Sequence, residues 1–232
     1  MKDPNIETLE IMVHHLGELS NEFLFVGGST VGLYISDKAV PAVRATVDID
    51  CVVEVINRGE YYATAEKLKA RGFREDSSSN VICRFRKNEL ILDVMPTKVE
   101  ILNFTNQWYI EGIKHKVSIT LSNGSCIHIL STAFFIASKL EAFKGRGQGD
   151  FMSSHDIEDL ITVFDGDPLV ADKILKSPDN VRAYLGESLT DLLRNEDFTE
   201  SIEGHINDRL NTAERAAIVK KRINASLPRA PR

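Results

Sequence analysis

The apolar pattern of the chain changes character at about residue 130, and this change restricts the fold more than any other feature. Before it, short β-branched runs alternate with helical stretches; after Ser131 only helical periodicity remains. Sheet faces and helical stripes must each be covered by another layer, so the two patterns imply two cores. The expected fold class is therefore α/β (α+β): a mixed-sheet domain over 1–130 followed by a helical domain over 131–232.

In the first half, Ile6, Leu9, Val13 and Leu16 share one helical face, and Phe23 to Val26 reads as a short buried strand ending at Gly27-Gly28. A short helix should follow from Ser29. Val47 to Val55 is a strand by β-branched content, and Tyr61 to Ala70 a helix stopped by Gly72. Two hairpins come next: Val81–Arg86 with Leu90–Met95 around Lys87-Asn88, and Val117–Leu121 with Cys126–Leu130 around Asn123-Gly124. In the second half, helices are expected over Thr132–Phe143 and over Ser153–Phe164, capped by Ser153 or Ser154, with three or four more behind them. The Gly145–Gly149 stretch reads as a flexible loop between the first two.

Composition excludes several classes. With 232 residues, 43% of them apolar and 27% charged, the chain can bury a core without staples. Its three cysteines, Cys51, Cys83 and Cys126, show no C-x-x-C spacing, so neither a disulfide framework nor a zinc knuckle is expected. No apolar run approaches the roughly 18 residues of a membrane helix, and the N-terminus has no basic and apolar leader pattern. A reducing, cytoplasmic setting is the expectation. The scattered histidines, such as His128 and His205, have no ligand-like partners.

Candidate chemistry lies in the strand Val47-Asp48-Ile49-Asp50-Cys51, which places two carboxylates at i and i+2 on one face of an apolar run. Like charges so close need a shared cation, and hard divalent ions favour carboxylate oxygens. Asp93 interrupts the run Leu90-Ile91-Leu92-Asp93-Val94-Met95, where a half-buried strand has little other reason for an acid. Three acids on neighbouring strands are the ingredients of a two-metal site that activates a hydroxyl and neutralises a triphosphate. Gly27-Gly28-Ser29 lies where glycines admit a ligand to the backbone and a helix start offers N–H groups to phosphate.

Through Gly27-Gly28-Ser29, Arg44-x-Thr46-x-Asp48-x-Asp50 and Asp93, the sequence resembles the polymerase-β-like nucleotidyltransferase superfamily. Lys139-Leu140-Glu141-Ala142 and Ser154-His155-Asp156-Ile157-Glu158-Asp159-Leu160 are similar to elements of its AbiEii-type branch, the toxins of type IV toxin-antitoxin systems; His155 stands where that branch usually carries Lys or Arg. The resemblance covers about residues 20 to 165. It implies Mg²⁺ (or Mn²⁺) held by Asp48, Asp50 and Asp93, with Asp93 also the general base. It implies NTP phosphates on Gly28 and Ser29, and Lys139 neutralising the triphosphate. The implied reaction moves an NMP from an NTP to a hydroxyl of an RNA 3′ end such as that of tRNA, or of a protein, in a toxin-like role with a cognate antitoxin as partner. A small-molecule nucleotidyltransferase, or a non-catalytic nucleotide- or partner-binding module keeping the fold, is the alternative.

Other residues carry more than one reading. Arg44 and Thr46 contact phosphate, brace the carboxylates or form a structural salt bridge. Lys139 is otherwise a surface lysine lying over Phe135 and Phe143, and Asp156 pairs with Lys139, orients the nucleotide or complements a helix dipole. Arg84 and Arg86 reach an anionic acceptor or protect an edge strand. Trp108 and Tyr109 stack on a base or pack in the core. The net charge is −6, yet Arg209, Arg215, Lys220, Lys221, Arg222, Arg229 and Arg232 stand against Glu214 alone, so this tail carries +6 and the rest −12. The tail is either a solubilising helix end or an RNA-facing patch.

Overall fold

The β-branched runs pair into one sheet, and the helical runs that follow it build a core of their own. A computed structural model describes residues 3–37, 39–40, 43–147, 149–206, 208 and 210–228. By internal packing these form two units: Met1–Leu33 with Arg44–Ser131, and Tyr34–Val43 with Thr132–Arg232. The expected first domain, 1–130, included 34–43, which packs instead with the helices.

The first unit opens with α1 (Pro4–Leu16), whose start combines Asp3 as N-cap with Pro4 in the first turn. The strands are β1 (Phe23–Val26), β2 (Ile49–Val53), β3 (Arg74–Glu75), β4 (Arg84–Lys87), β5 (Leu90–Pro96), β6 (Val117–Thr120) and β7 (Cys126–Ile129). They form a seven-stranded mixed sheet in the order β3-β4-β5-β2-β1-β7-β6. β1 runs antiparallel to β2 and parallel to β7, and β2 runs parallel to β5. β1 and β2 sit in the middle, where nearly every position is buried, which is why they read as continuous apolar runs rather than alternating ones. Helix α2 (Arg58–Ala70), capped by Asn57, links β2 to β3, and the short α3 (Val99–Leu102) and α4 (Tyr109–Lys114) lie between β5 and β6.

Three expected boundaries move. The strand predicted over Val47–Val55 begins only at Ile49, leaving Asp48 in a bend. The first arm of the first hairpin starts at Arg84 rather than Val81, because Asp76 and Ser79 hold the preceding segment in side-chain-closed turns (Ser78 N–H to Asp76 Oδ1, 3.1 Å; Val81 N–H to Ser79 Oγ, 3.1 Å). The predicted loop at Gly145 is still helical, since α5 runs on to Arg146.

The second unit contains α5 (Thr132–Arg146), α6 (His155–Gly166), α7 (Val170–Leu175), α8 (Asp179–Arg194), α9 (Glu196–His205) and α10 (Thr212–Ala225). Phe134, Phe164, Leu185, Phe198 and Ile223 are fully buried in its core. The segment 34–43 is tied to this unit by main-chain bonds: Ser36 and Asp37 N–H both donate to the Gly166 carbonyl at 3.0 Å. Among the described residues, no helix is long and apolar enough to cross a membrane.

Candidate active site

The acids are brought together by strand register. Asp50 on β2 lies directly opposite Asp93 on the parallel β5, and Asp93 is in turn paired with Arg84 on the antiparallel β4. Arg84 donates from Nε to Asp93 Oδ1 (2.8 Å) and from Nη2 to Asp93 Oδ2 (2.7 Å), a two-point contact, and the same Nη2 reaches Asp48 Oδ2 at 2.6 Å. So Asp48, although outside the strand, still joins the group. The hydrogen bond from Arg84 to Asp93, together with the charges of Asp93, Asp48 and Asp50, outweighs burial and holds the guanidinium above even its high ordinary pKa.

Asp50 is accommodated by a backbone feature on β1. Gly27 follows Val26, the register partner of Asp50, and adopts φ +75°; a Cβ there would stand 2.1 Å from Asp50 Oδ2. Glycine is required twice over, by conformation and by the closeness of the carboxylate. This role of Gly27 was visible in the sequence only as part of Gly27-Gly28-Ser29, without the reason. Gly28 opens a short 3₁₀ helix (Gly28–Leu33), and both Gly28 and Ser29 are buried. The Ser29 hydroxyl points back to the Val26 carbonyl at 3.5 Å, while Thr30 makes the stronger bond, 2.9 Å to the Gly27 carbonyl.

The segment before Asp48 is clamped by a residue that sequence reading did not single out. Buried Asn5, in the first turn of α1, donates from Nδ2 to the Arg44 carbonyl (2.8 Å) and accepts the Thr46 N–H at Oδ1 (2.8 Å). The Thr46 hydroxyl reaches the Asp48 carbonyl at 3.3 Å, a bracing contact. Only the long-range pairing reveals Asn5, because nothing in its local pattern differs from a helix-start asparagine. Cys51 and Cys83 are buried beside the acids; burial pushes the Cys83 thiol up to about 12 and the Cys51 thiol well above its ordinary value, so neither offers a thiolate.

Three carboxylates and one guanidinium sum to a charge of −2, and their hard oxygen donors suit Mg²⁺ or Mn²⁺. The donor set therefore fits a divalent ion. As the side chains stand, no three His, Cys, Asp or Glu groups among the described residues converge as a ready cluster for one.

The remaining expected residues belong to the second unit. Lys139 on α5 is buried, not the surface lysine of the plainer sequence reading; its ammonium contacts Asp159 at 2.6 Å and Asp156 at 3.3 Å and lies 5.7 Å from the centre of the Phe135 ring. Arg146, from the last turn of α5, donates to both oxygens of Asp156 at 2.9 Å. Burial pushes the Asp156 carboxyl up, but the Arg146 hydrogen bonds and the Lys139 charge outweigh it and hold the group below its ordinary value. Asp159 thus joins Lys139, Asp156 and Arg146, a member that the sequence reading quoted only as part of a motif.

Away from the acids, Arg86 pairs with Asp76. Trp108 and Tyr109 are buried, the Tyr109 hydroxyl lying 3.8 Å from Met95 Sδ, which is core packing. Of the basic tail, Arg209, Arg229 and Arg232 lie outside the described residues. Arg215 is buried against Asp165 (2.7 Å) and Asp37 (3.4 Å), and Arg222 donates to the Phe164 and Asp165 carbonyls. Lys220 is half-buried and Lys221 exposed on α10.

No protein-family model matches the chain, and no curated protein matches its sequence. Solved structures do resemble it. An antigenic nucleotidyltransferase-like protein from Paracoccidioides brasiliensis is 17% identical, with 88% of this chain and 94% of that one covered and a TM-score of 0.50. The antibiotic-resistance factor ANT(2'')-Ia is 16% identical, with 82% and 95% covered and a TM-score of 0.47. The first of these likenesses bears on the fold: the chain shares the mixed α/β fold of that nucleotidyltransferase-like protein.

Proposed function

We propose that this chain is a metal-dependent nucleotidyltransferase that moves an NMP from an NTP to a hydroxyl acceptor. The observation that supports the reading is the register of Asp50 opposite Asp93, with Asp48 tied to Asp93 through Arg84 and Gly27 against the Asp50 carboxylate, in a chain with a nucleotidyltransferase fold. Asp48, Asp50 and Asp93 would hold Mg²⁺ or Mn²⁺, which supplies charge neutralisation to the triphosphate and to the attacking oxygen. Asp93 serves as general base, the one acid of the three that is almost fully buried. Gly28 and Ser29 take phosphate oxygens, and Asn5, Arg44 and Thr46 keep the Asp48 segment in place. Phosphoryl-type transfer needs positioning and charge neutralisation more than covalent help, which suits a site made of acids and backbone.

Lys139, Asp156 and Asp159 form the second element of the reading, with Lys139 and Asp156 serving the nucleotide. Their match to the AbiEii-type pattern supports a toxin-like role, an RNA 3′ end such as that of tRNA or a protein as acceptor, and an antitoxin protein as partner. The test is incubation with each α-radiolabelled NTP, Mg²⁺ or Mn²⁺, and total RNA or lysate. One macromolecular class should become labelled, and Asp93→Asn should cut labelling by about 10²–10⁴-fold while NTP still binds. Wild-type labelling by a folded Asp93→Asn protein would overturn the assignment of the base.

A further inference from the structure

Arg84 occupies the place among the acids that a cation must fill. Its side chain bridges Asp93 and Asp48 through three hydrogen bonds of 2.6–2.8 Å, and its register position opposite Asp93 makes this the natural reach of its guanidinium. The two ends of the bridge are unequal. Asp93 is 7% exposed and held at two points; Asp48 is 35% exposed, stands in a bend and is held at one. A buried charge left without its partner is costly, whereas a one-point pair open to water and salt adds little. The bridge can therefore open at Asp48 while Asp93 keeps its partner longest.

We propose that Arg84 is a built-in counter-cation of the acidic cluster, holding Asp48 and Asp93 together in the metal-free protein, and that a divalent ion enters by displacing its guanidinium. This rests on the metal-dependent reading above. It accounts for two facts at once: three acids are tolerated side by side, and no three of them form a ready ion cluster while the guanidinium stands between them. A rigid structural brace gives the opposite expectation, because removing a brace loosens the donors and weakens ion binding.

The experiment measures Mn²⁺ affinity directly, by the loss of the free-ion paramagnetic resonance signal and by calorimetry, with wild type, Arg84→Met, Arg84→Lys and Asp50→Asn proteins. Arg84→Met removes the competing charge at similar length and should bind Mn²⁺ about tenfold tighter or more. Arg84→Lys keeps a charge without the planar fork, so its affinity should fall between the two. Without metal, Arg84→Met should melt below wild type, and saturating Mn²⁺ should raise its midpoint by more than it raises that of wild type. Asp50→Asn should lose binding, which locates the ion. Equal or weaker Mn²⁺ binding by folded Arg84→Met and Arg84→Lys proteins overturns the counter-cation while leaving the metal-dependent reading standing. Absence of Mn²⁺ binding by every protein, with or without a non-hydrolysable NTP analogue, overturns both.

Discussion

At the scale of single residues, Gly27 ties a backbone conformation to the placement of the Asp50 carboxylate. Gly27 and Gly124 both have positive φ, +75° and +84°, but a Cβ at Gly124 meets open space whereas one at Gly27 meets the Asp50 carboxylate at 2.1 Å. The comparison separates backbone cost from steric cost. Gly124→Ala should lower stability by about 1–2 kcal/mol, the ordinary penalty for a left-handed residue with a side chain, and leave nucleotide transfer unchanged. Gly27→Ala carries that penalty plus the displacement of Asp50, so it should melt lower still and lose transfer. Thermal unfolding and labelling assays on the two variants check this, and matched stability with intact transfer in Gly27→Ala would show that Asp50 does not depend on the close approach.

At the scale of elements, the contact between α5 and α6 buries a carboxyl whose charge is tied to pH. Asp156 sits in the first turn of α6 behind the Ser154 cap, and its folded pKa lies below the unfolded value of about 3.9. A depressed carboxyl contributes stability that is present above the unfolded value and lost as pH falls through the folded one. The melting-temperature gap between wild type and Asp156→Asn should therefore be widest near neutrality and close below about pH 4; a gap independent of pH would remove Asp156 from the linkage. The α5–α6 pairing also shows how far sequence reading reaches. Lys139 and Asp156 were visible as residue types at helical spacing, but the burial of Lys139 was not, because Phe135 and Phe143 one turn either side suit a surface lysine as well as a core one. The acids on β2 and β5 were legible since a carboxylate in an apolar strand has few structural uses. Arg84 and Asn5 were less so: their importance comes from register across strands and from contacts 36 and 39 residues away, which local periodicity does not encode. Strand ends misled for a similar reason, as Val47 and Val81 are β-branched yet held outside the ladder by neighbouring turns.

At the scale of the whole molecule, the chain order and the packing order differ, and this has a consequence for dissection. The segment 34–43 leaves the first unit after the 3₁₀ turn, packs with the second and returns at Arg44 just before the acids. Within the second unit it stacks Tyr34 on Phe135 at 4.5 Å, caps the Gly166 carbonyl with two N–H groups and supplies Asp37 to Arg215. Ile35 lies so close to Gly166 that a Cβ there would meet it at 2.7 Å. Asp165 accepts from Arg215 through Oδ2 but has a buried Oδ1 without a hydrogen-bond partner among the described residues, so this ion pair has little margin. A fragment of residues 132–232 keeps every helix from α5 to α10 and the Asp165–Arg215 pair, and loses the contacts made by Tyr34, Ile35, Ser36 and Asp37. The ring pair and the two main-chain bonds together amount to about 3 kcal/mol. For a unit of this size that lowers the melting midpoint by roughly 10–20 °C. Joining 34–43 to the fragment through a flexible Gly/Ser linker should restore most of the difference, because the segment then returns at high effective concentration. Circular dichroism melts of the two fragments decide the matter. Equal midpoints would mean that the helices hold together without the segment and that the boundary near residue 131 alone divides the chain.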